Sequence, residues 1–163
     1  MKRFFLFLLL AISLNTAIAQ ETKLYNPKAN AEKDIAAAIK KAKAEYKYVL
    51  IQAGGNWCSW CIEFARFTKA DAQIDSVINA SFIVYHLNYS KENENKLMFF
   101  KLDYPQRFGY PTFIILDGNG KRIHTQNSEY LEDGKKSYNK NKVQSFLEMW
   151  SPRALNPHMY GNG

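Results

Sequence analysis

Cysteine is scarce in this chain of 163 residues, in which Cys58 and Cys61 are the only two. Two cysteines are too few for a domain stabilised by several disulfides, so the pair forms either one structural bridge or one redox-active bridge. A structural zinc site needs four ligands, and no second cysteine pair is present to complete them. The three histidines, His86, His124 and His158, fall at no recognised ligand spacing. The sequence therefore does not indicate a structural zinc site.

The sequence also lacks the motifs of common phosphate, haem and nucleic-acid binding sites. Gly54 and Gly55 precede a predicted helix but lack the Lys-Ser/Thr pair that a phosphate-binding P-loop requires. Ile62 rather than histidine follows Cys61, which excludes a c-type haem attachment. The formal net charge is +7, but no basic stripe interleaved with aromatic residues indicates nucleic-acid binding. There is also no internal repeat and no sign of a second domain.

Residues 1–19 are typical of a cleaved signal peptide. Lys2 and Arg3 precede the apolar run Phe4–Leu14, and Ala17–Ala19 forms a small-x-small cleavage signature. The apolar run is shorter than the roughly 20 residues of an ordinary membrane span, and no cysteine follows it that could carry a lipid anchor. We expect cleavage after Ala19 and export of the chain that begins at Gln20. An uncleaved N-terminal anchor is the alternative.

The rest of the chain suits one domain with one core, and its pattern predicts alternating strands and helices. We assign residues 20–30 to an N-terminal lead-in, residues 31–150 to the domain and residues 151–163 to a C-terminal tail. Apolar periodicity predicts helices at Ala31–Glu45, Ile62–Lys69, Asp71–Asn79, Leu97–Leu102 and Lys142–Trp150. It predicts strands at Tyr48–Ala53, Ser81–Leu87, Thr112–Leu116 and Lys121–Thr125.

Three local signals refine this pattern. Asn30 is the expected N-cap of the first helix. Residues 91–96 form either a loop or the first exposed turn of the fourth helix. The turn Asp117–Gly120 contains Asp-Gly and Asn-Gly, which predicts that the last two strands are antiparallel neighbours.

The cysteine pair lies between a predicted strand and a predicted helix, within the stretch from Gly54 to Cys61. At a helix N-terminus, free backbone N–H groups and the helix dipole stabilise a thiolate and lower the pKa of Cys58. The sulfur of Cys61, one helical turn on, is placed to attack a mixed disulfide and release the partner. The arrangement predicts a device for thiol–disulfide exchange.

The element order and two motifs carry a family resemblance. The order is β-α-β-α-β-β-α after an initial helix, with Trp-Cys-x-x-Cys after the first strand and Gly-Tyr-Pro-Thr opening the third. This resembles the thioredoxin superfamily, and especially its exported bacterial members, over about Ala31 to Trp150. The resemblance implies a single α/β domain with the thioredoxin fold, in which helices flank a central mixed sheet. It also implies a periplasmic location, with extracellular release as the alternative.

The resemblance assigns roles to the motif residues. It implies that Cys58 is the attacking cysteine, that Cys61 is the resolving cysteine, and that the Tyr110–Pro111 bond is cis and lies against the disulfide. Since proline has no N–H group, the backbone of Tyr110 would be free to pair with an extended substrate peptide. Tyr110 and Pro111 are therefore expected to bind substrate.

Aromatic residues flank both cysteines, and Trp57, Trp60 and Tyr110 are expected to form an apolar rim that binds substrate near Cys58. Plain packing is an equal alternative for Trp57, whereas Trp60 is expected to be exposed. Ser59 either donates a weak hydrogen bond to a sulfur or, as we expect, caps the helix.

The sequence departs from thioredoxins proper at two places. Ser59 and Trp60 stand between the cysteines in place of Gly-Pro, which leaves the direction of electron flow open. Gln52 occupies the position, six residues before Cys58, of a buried acid that helps to deprotonate the resolving thiol. Gln52 cannot take up a proton, so either water or another group must serve Cys61.

These observations predict an exported thiol–disulfide oxidoreductase that acts on protein substrates and uses no bound organic cofactor or metal. Its expected partners are protein thiols or disulfides and a recycling redox partner, with no nucleic acid. A membrane is involved only in targeting or through a membrane redox partner. One alternative is a binding or accessory module with a structural Cys58–Cys61 disulfide. A second is a copper-handling protein in which a distant histidine completes two thiolates.

Overall fold

The computed structural model describes residues 23–161, so the predicted signal peptide and its cleavage site lie outside the described residues. A four-stranded sheet has the order β2-β1-β3-β4, with β1 at Tyr48–Gly54, β2 at Phe82–Asn88, β3 at Thr112–Leu116 and β4 at Arg122–Asn127. β1 runs parallel to β2 and antiparallel to β3, and β3 is antiparallel to β4. The predicted mixed sheet and the predicted hairpin are both confirmed.

In the described part of the chain, five helices flank this sheet, namely α1 at Ala31–Ala44, α2 at Ser59–Ala70, α3 at Ala72–Ser81, α4 at Lys96–Lys101 and α5 at Lys140–Met149. Short 3-10 turns, which the sequence analysis did not predict, occur at Pro105–Phe108, Ser128–Leu131 and Pro157–Tyr160. No helix within residues 23–161 is long and apolar enough to cross a membrane.

The central strand β1 is buried from Val49 to Gly54 because its apolar side chains serve both faces of the sheet. Val49, Ile51 and Ala53 belong to a core cluster that includes residues of α1 and α4. Leu50 lies in a second cluster, formed with residues of α2, α3 and α5. The end of β1 is thereby fixed from both sides, and it leads directly into the cysteine pair.

Helix ends follow the capping residues. Asn30 caps α1 as expected, since its side chain accepts a hydrogen bond from Lys33 N. Asn139 does the same for α5 by accepting from Lys142 N, which starts this helix two residues earlier than the periodicity indicated. Residues 91–95 precede α4 without joining it, so this stretch is a loop rather than a helical turn.

Candidate active site

Cys58 and Cys61 form a disulfide, with a Cα–Cα distance of 5.2 Å. The N-cap of α2 is Cys58, whose backbone is extended (φ −92°, ψ 103°) and whose Sγ accepts a hydrogen bond from Cys61 N at 3.1 Å. The expectation that Ser59 caps the helix is wrong, because Ser59 is already the first helical residue. The sulfur of Cys58 itself therefore occupies the cap position.

The two cysteines differ in access to solvent. Cys58 keeps 5% of its surface exposed, whereas Cys61 keeps none. Leu24, Tyr25 and Tyr110 pack around the pair. Of the two cysteines, Cys58 alone therefore keeps any surface that another molecule could contact.

The electrostatics of α2 favour a negative charge on Cys58. Its first turn contains no acidic residue, so nothing there offsets the positive end of the helix dipole. Backbone N–H groups at a helix start stabilise a thiolate and lower the pKa of the thiol. Once reduced, Cys58 is in the environment of a nucleophilic cysteine.

Pro111 is buried, and the Tyr110–Pro111 peptide bond is cis, as the resemblance implied. Tyr110 packs against the cysteine cluster and is half-buried. Its ring stacks on Tyr89, with centroids 5.3 Å apart. Within residues 23–161 the buried Tyr110 hydroxyl has no hydrogen-bond partner, and burial raises its pKa.

The expected aromatic rim is only partly assembled. Trp57 is 58% exposed, its Nε1 donates to the carbonyl oxygen of Tyr89 at 2.7 Å, and its ring meets Tyr110 edge-on at 5.4 Å. Trp60 is half-buried and packs edge-on against Tyr138, whose hydroxyl donates to the Trp60 carbonyl oxygen at 3.0 Å. The expected exposure of Trp60 is wrong, and of the two tryptophans Trp57 is the one that faces solvent.

Gln52 is 2% exposed and makes two hydrogen bonds. Its Nε2 donates to the Tyr25 hydroxyl at 2.8 Å and to the carbonyl oxygen of Cys61 at 2.9 Å. The position that holds an acid in thioredoxins proper is thus occupied by an amide that connects Cys61 to a tyrosine.

Tyr25 is a site residue that the sequence analysis missed. It is fully buried against the disulfide although it belongs to the lead-in. Its backbone is fixed by Asn56, whose Oδ1 accepts from Tyr25 N at 3.0 Å and whose Nδ2 donates to the Tyr25 carbonyl oxygen at 2.8 Å. A single tyrosine ahead of the first helix carries no distinctive pattern, so no signal in the sequence identifies it.

Because Gly54 has no side chain, the Tyr25 hydroxyl and the Cys61 sulfur can both lie close to its backbone. A Cβ at this position would lie 2.4 Å from Cys61 Sγ and 2.9 Å from the Tyr25 hydroxyl oxygen. Both atoms therefore converge on the space that glycine leaves open at the end of β1. A side chain here would push the sulfur and the hydroxyl apart.

His86 lies next to this group. It pairs with Gln52 across β1 and β2, and its ring meets Tyr25 edge-on at 5.4 Å. Burial lowers the pKa of His86 to about 4, so the ring is neutral at pH 7. Within residues 23–161, no group of three His, Cys, Asp or Glu side chains is placed to hold a metal, and the copper alternative gains no third ligand there.

This chain resembles several solved structures, two of which are bacterial proteins of similar size. A disulphide isomerase from Xylella fastidiosa Temecula1 superposes with a TM-score of 0.68 at 20% identity, covering 78% of this chain and 96% of that one. The oxidised C-terminal domain of DsbD from Neisseria meningitidis gives a TM-score of 0.50 at 18% identity, covering 75% of this chain and 97% of that domain. At these identities the likeness establishes the fold. Comparison with curated proteins gave no match.

A family model described as thioredoxin-like matches residues 30–118, from the cap of α1 to the turn after β3. This range includes the cysteine pair and the cis proline. Together with the mixed sheet and the position of the disulfide at the start of α2, the match shows that the chain belongs to the thioredoxin-like family.

Proposed function

We propose that this protein is an exported thiol–disulfide oxidoreductase that acts on protein substrates through Cys58 and Cys61. One observation carries the proposal. Cys58, at the helix start, keeps a small exposed surface, while Cys61 has none. A nucleophile that substrates can reach and a resolving thiol that they cannot reach are what dithiol–disulfide exchange requires.

In the reducing direction the reaction has two steps. The Cys58 thiolate attacks a substrate disulfide, a bond forms between Cys58 and one substrate sulfur, and the other substrate sulfur leaves as a thiolate. Cys61 loses its proton to water and attacks Cys58 Sγ, which releases the second substrate thiolate and forms the Cys58–Cys61 bond. The substrate gains two electrons that the protein loses, so a dithiol or disulfide partner must restore the starting state.

The substrate is expected to lie along Trp57 and Tyr110. Trp57 is the most exposed aromatic residue next to Cys58. Within the described residues, the backbone N–H and carbonyl groups of Tyr110 make no backbone hydrogen bond, so both are available to an extended peptide. Pro111, which follows directly, donates no hydrogen bond and leaves this approach open.

The alternative function, in which the disulfide is purely structural, predicts the opposite reactivity of the cysteines. A purely structural bridge resists mild reductants, with a potential below about −300 mV, and its cysteines stay unreactive. The disulfide of this chain is buried except for the edge of Cys58. Reactivity of that edge therefore decides between the two functions.

The deciding experiment measures the redox equilibrium of the pair in graded thiol buffers, with thiol trapping of the mature chain. A potential near about −270 mV or lower, with rapid trapping of reduced Cys58, indicates a reductant. A potential between about −180 and −120 mV indicates an isomerase or an oxidase. A pair that stays oxidised throughout, with Cys58 untrapped, overturns the proposed function.

The location of the protein follows from residues 1–19. Their signal-peptide pattern supports export, and an oxidising compartment suits a disulfide-exchanging protein. We propose the periplasm, with extracellular release as the alternative.

A further inference from the structure

We propose that the hydroxyl of Tyr25 donates a hydrogen bond to the Cys61 sulfur once the disulfide is cleaved. Tyr25 is then a positioning residue that stabilises the resolving thiolate in place of the absent acid. This inference rests on the proposed function and names the group that serves Cys61.

The backbone and ring of Tyr25 are fixed before any reaction occurs. Asn56 binds the backbone N–H and carbonyl groups of Tyr25, and the ring is fully buried against the cysteine cluster. The hydroxyl oxygen and Cys61 Sγ both lie close to Gly54, where a Cβ would be 2.9 Å from the oxygen and 2.4 Å from the sulfur. A preorganised donor of this kind needs little rearrangement to reach the sulfur.

The hydroxyl proton of Tyr25 has no hydrogen-bond acceptor among the described residues. The Tyr25 oxygen accepts from Gln52 Nε2 at 2.8 Å, which occupies a lone pair and leaves the hydroxyl proton free to be donated. Among the described residues this proton has no acceptor while Cys61 is in the disulfide. A buried donor without an acceptor costs free energy, and a thiolate accepts a hydrogen bond much more strongly than a disulfide sulfur. Cleavage of the disulfide creates the missing acceptor.

Among the described residues, most other polar groups near Cys61 already have hydrogen-bond partners, and the buried hydroxyl without one, that of Tyr110, lies on a ring that stacks on Tyr89. The Gln52 amide is already bonded to the Cys61 carbonyl oxygen and to Tyr25. The titratable groups on the surrounding elements are His86 on β2, Tyr110 before β3, Tyr138 before α5 and Glu63 on α2. His86 is neutral at pH 7, Tyr138 donates to the Trp60 carbonyl oxygen, and the Glu63 carboxylate accepts from Arg66 and Ser137.

Tyr25 acts as a donor and not as a base. Burial raises its pKa far above the ordinary value, so the hydroxyl keeps its proton at working pH. Water takes the proton of the Cys61 thiol, and the thiolate that remains is stabilised by the hydroxyl. When Cys61 attacks Cys58 Sγ, the hydrogen bond is released and Tyr25 is unchanged.

The test measures the pKa of Cys61 directly. In a Cys58→Ser protein, Cys61 is the only cysteine, so its 13C-labelled Cβ reports thiol ionisation by NMR across a pH titration. Adding Tyr25→Phe keeps the ring but removes the hydroxyl, and we expect the pKa of Cys61 to rise by about one unit, a tenfold loss of thiolate at neutral pH. Tyr138→Phe, which removes another buried hydroxyl, is the matched control and should leave this pKa unchanged. Equal pKa values with and without Tyr25→Phe overturn the proposal.

A second variant tests the proposal if the Tyr25→Phe protein does not fold. Replacing Tyr25 with 3-fluorotyrosine makes the hydroxyl a stronger donor with almost no change of shape, and we expect the pKa of Cys61 to fall. A pKa that is unchanged or raised contradicts the inference. Neither titration needs a substrate, so a protein that forms no mixed disulfide fails the proposed function alone, while the pKa comparison still decides the role of Tyr25.

Discussion

The side-chain amide of Gln52 donates a hydrogen bond to the carbonyl oxygen of Cys61 at 2.9 Å, which joins the middle of the sheet to the first turn of α2. The same nitrogen donates to the Tyr25 hydroxyl. Gln52 thus connects the strand, Cys61 and the lead-in through one buried group.

Replacing Gln52 with methionine tests how much this amide contributes to the stability of the fold. Gln52→Met keeps the side-chain length but leaves two buried acceptors without their donor, so we expect the free energy of unfolding to fall by about 1–3 kcal/mol. Chemical denaturation of the oxidised protein measures it. Gln73→Met, at an exposed position of α3, is the matched control and should change stability little. A stable Gln52→Met protein would mean that the two hydrogen bonds contribute nothing net.

Removing either cysteine should have opposite effects on intermediates. Cys61→Ala leaves the accessible nucleophile in place, so covalent mixed disulfides with substrate proteins should accumulate. Cys58→Ala leaves only the fully buried sulfur, and we expect at least about tenfold less adduct. Non-reducing gels and intact mass measure both. Equal adduct from the two variants would contradict the assignment of Cys58 as nucleophile.

Trp57→Ala should weaken recognition of peptides without changing the intrinsic reactivity of the sulfur. The variant loses an aromatic contact beside Tyr110, and we expect mixed-disulfide formation with a peptide disulfide to slow by about three- to tenfold. The rate with a small disulfide reagent should stay the same. Tyr46→Ala removes an aromatic side chain that is 90% exposed and serves as the control. A loss of rate with both reagents would indicate altered cysteine chemistry rather than lost binding.

His86 should make stability depend on pH. Its folded pKa of about 4 lies below the ordinary value of 6.5, so the unfolded chain takes up a proton first as the pH falls. The stabilising contribution of neutral His86 is complete above pH 6.5 and is lost between pH 6.5 and 4, by about 3 kcal/mol.

The measurement compares the free energy of unfolding across this pH range with that of His86→Phe, which cannot titrate. The carboxylates are common to both proteins, so the difference isolates the histidine. His158→Phe, at an exposed position, should keep the full pH dependence. Parallel pH profiles for the parent protein and His86→Phe would contradict this prediction, because they would mean that the pKa of His86 is the same in the folded and the unfolded chain.

The predicted cleavage of the signal peptide after Ala19 can be tested on the exported protein. The intact mass of the exported protein should correspond to a chain that begins at Gln20, because Ala17–Ala19 fits a signal-peptidase site. Replacing Ala19 with a bulky residue should block cleavage. A native mass that includes residues 1–19 would favour the anchored alternative.

Much of the fold was predictable because its signals are local. The unbroken apolar run of β1, the periodic faces of the helices and the Asp-Gly and Asn-Gly turn each depend on residues that are near neighbours in the chain. Cys58 and Cys61 are three positions apart at a helix start, so local geometry alone brings their sulfurs within bonding reach. The first residues of α2 and α5 were predicted less accurately. Capping residues decide where a helix begins, and apolar periodicity does not resolve this position within one turn.

Other features depended on segments that meet only after folding. Trp60, between the cysteines, was expected to be exposed, but Tyr138, which lies 78 residues later in the chain, packs against it. Tyr25 is joined to Gln52 across 27 residues and to Asn56 across 31. The sequence by itself determined the thioredoxin-like framework and the cysteine pair, since both follow from short-range patterns. Only the tertiary structure placed a tyrosine beside Cys61, because burial and hydrogen bonding between distant segments are decided by packing.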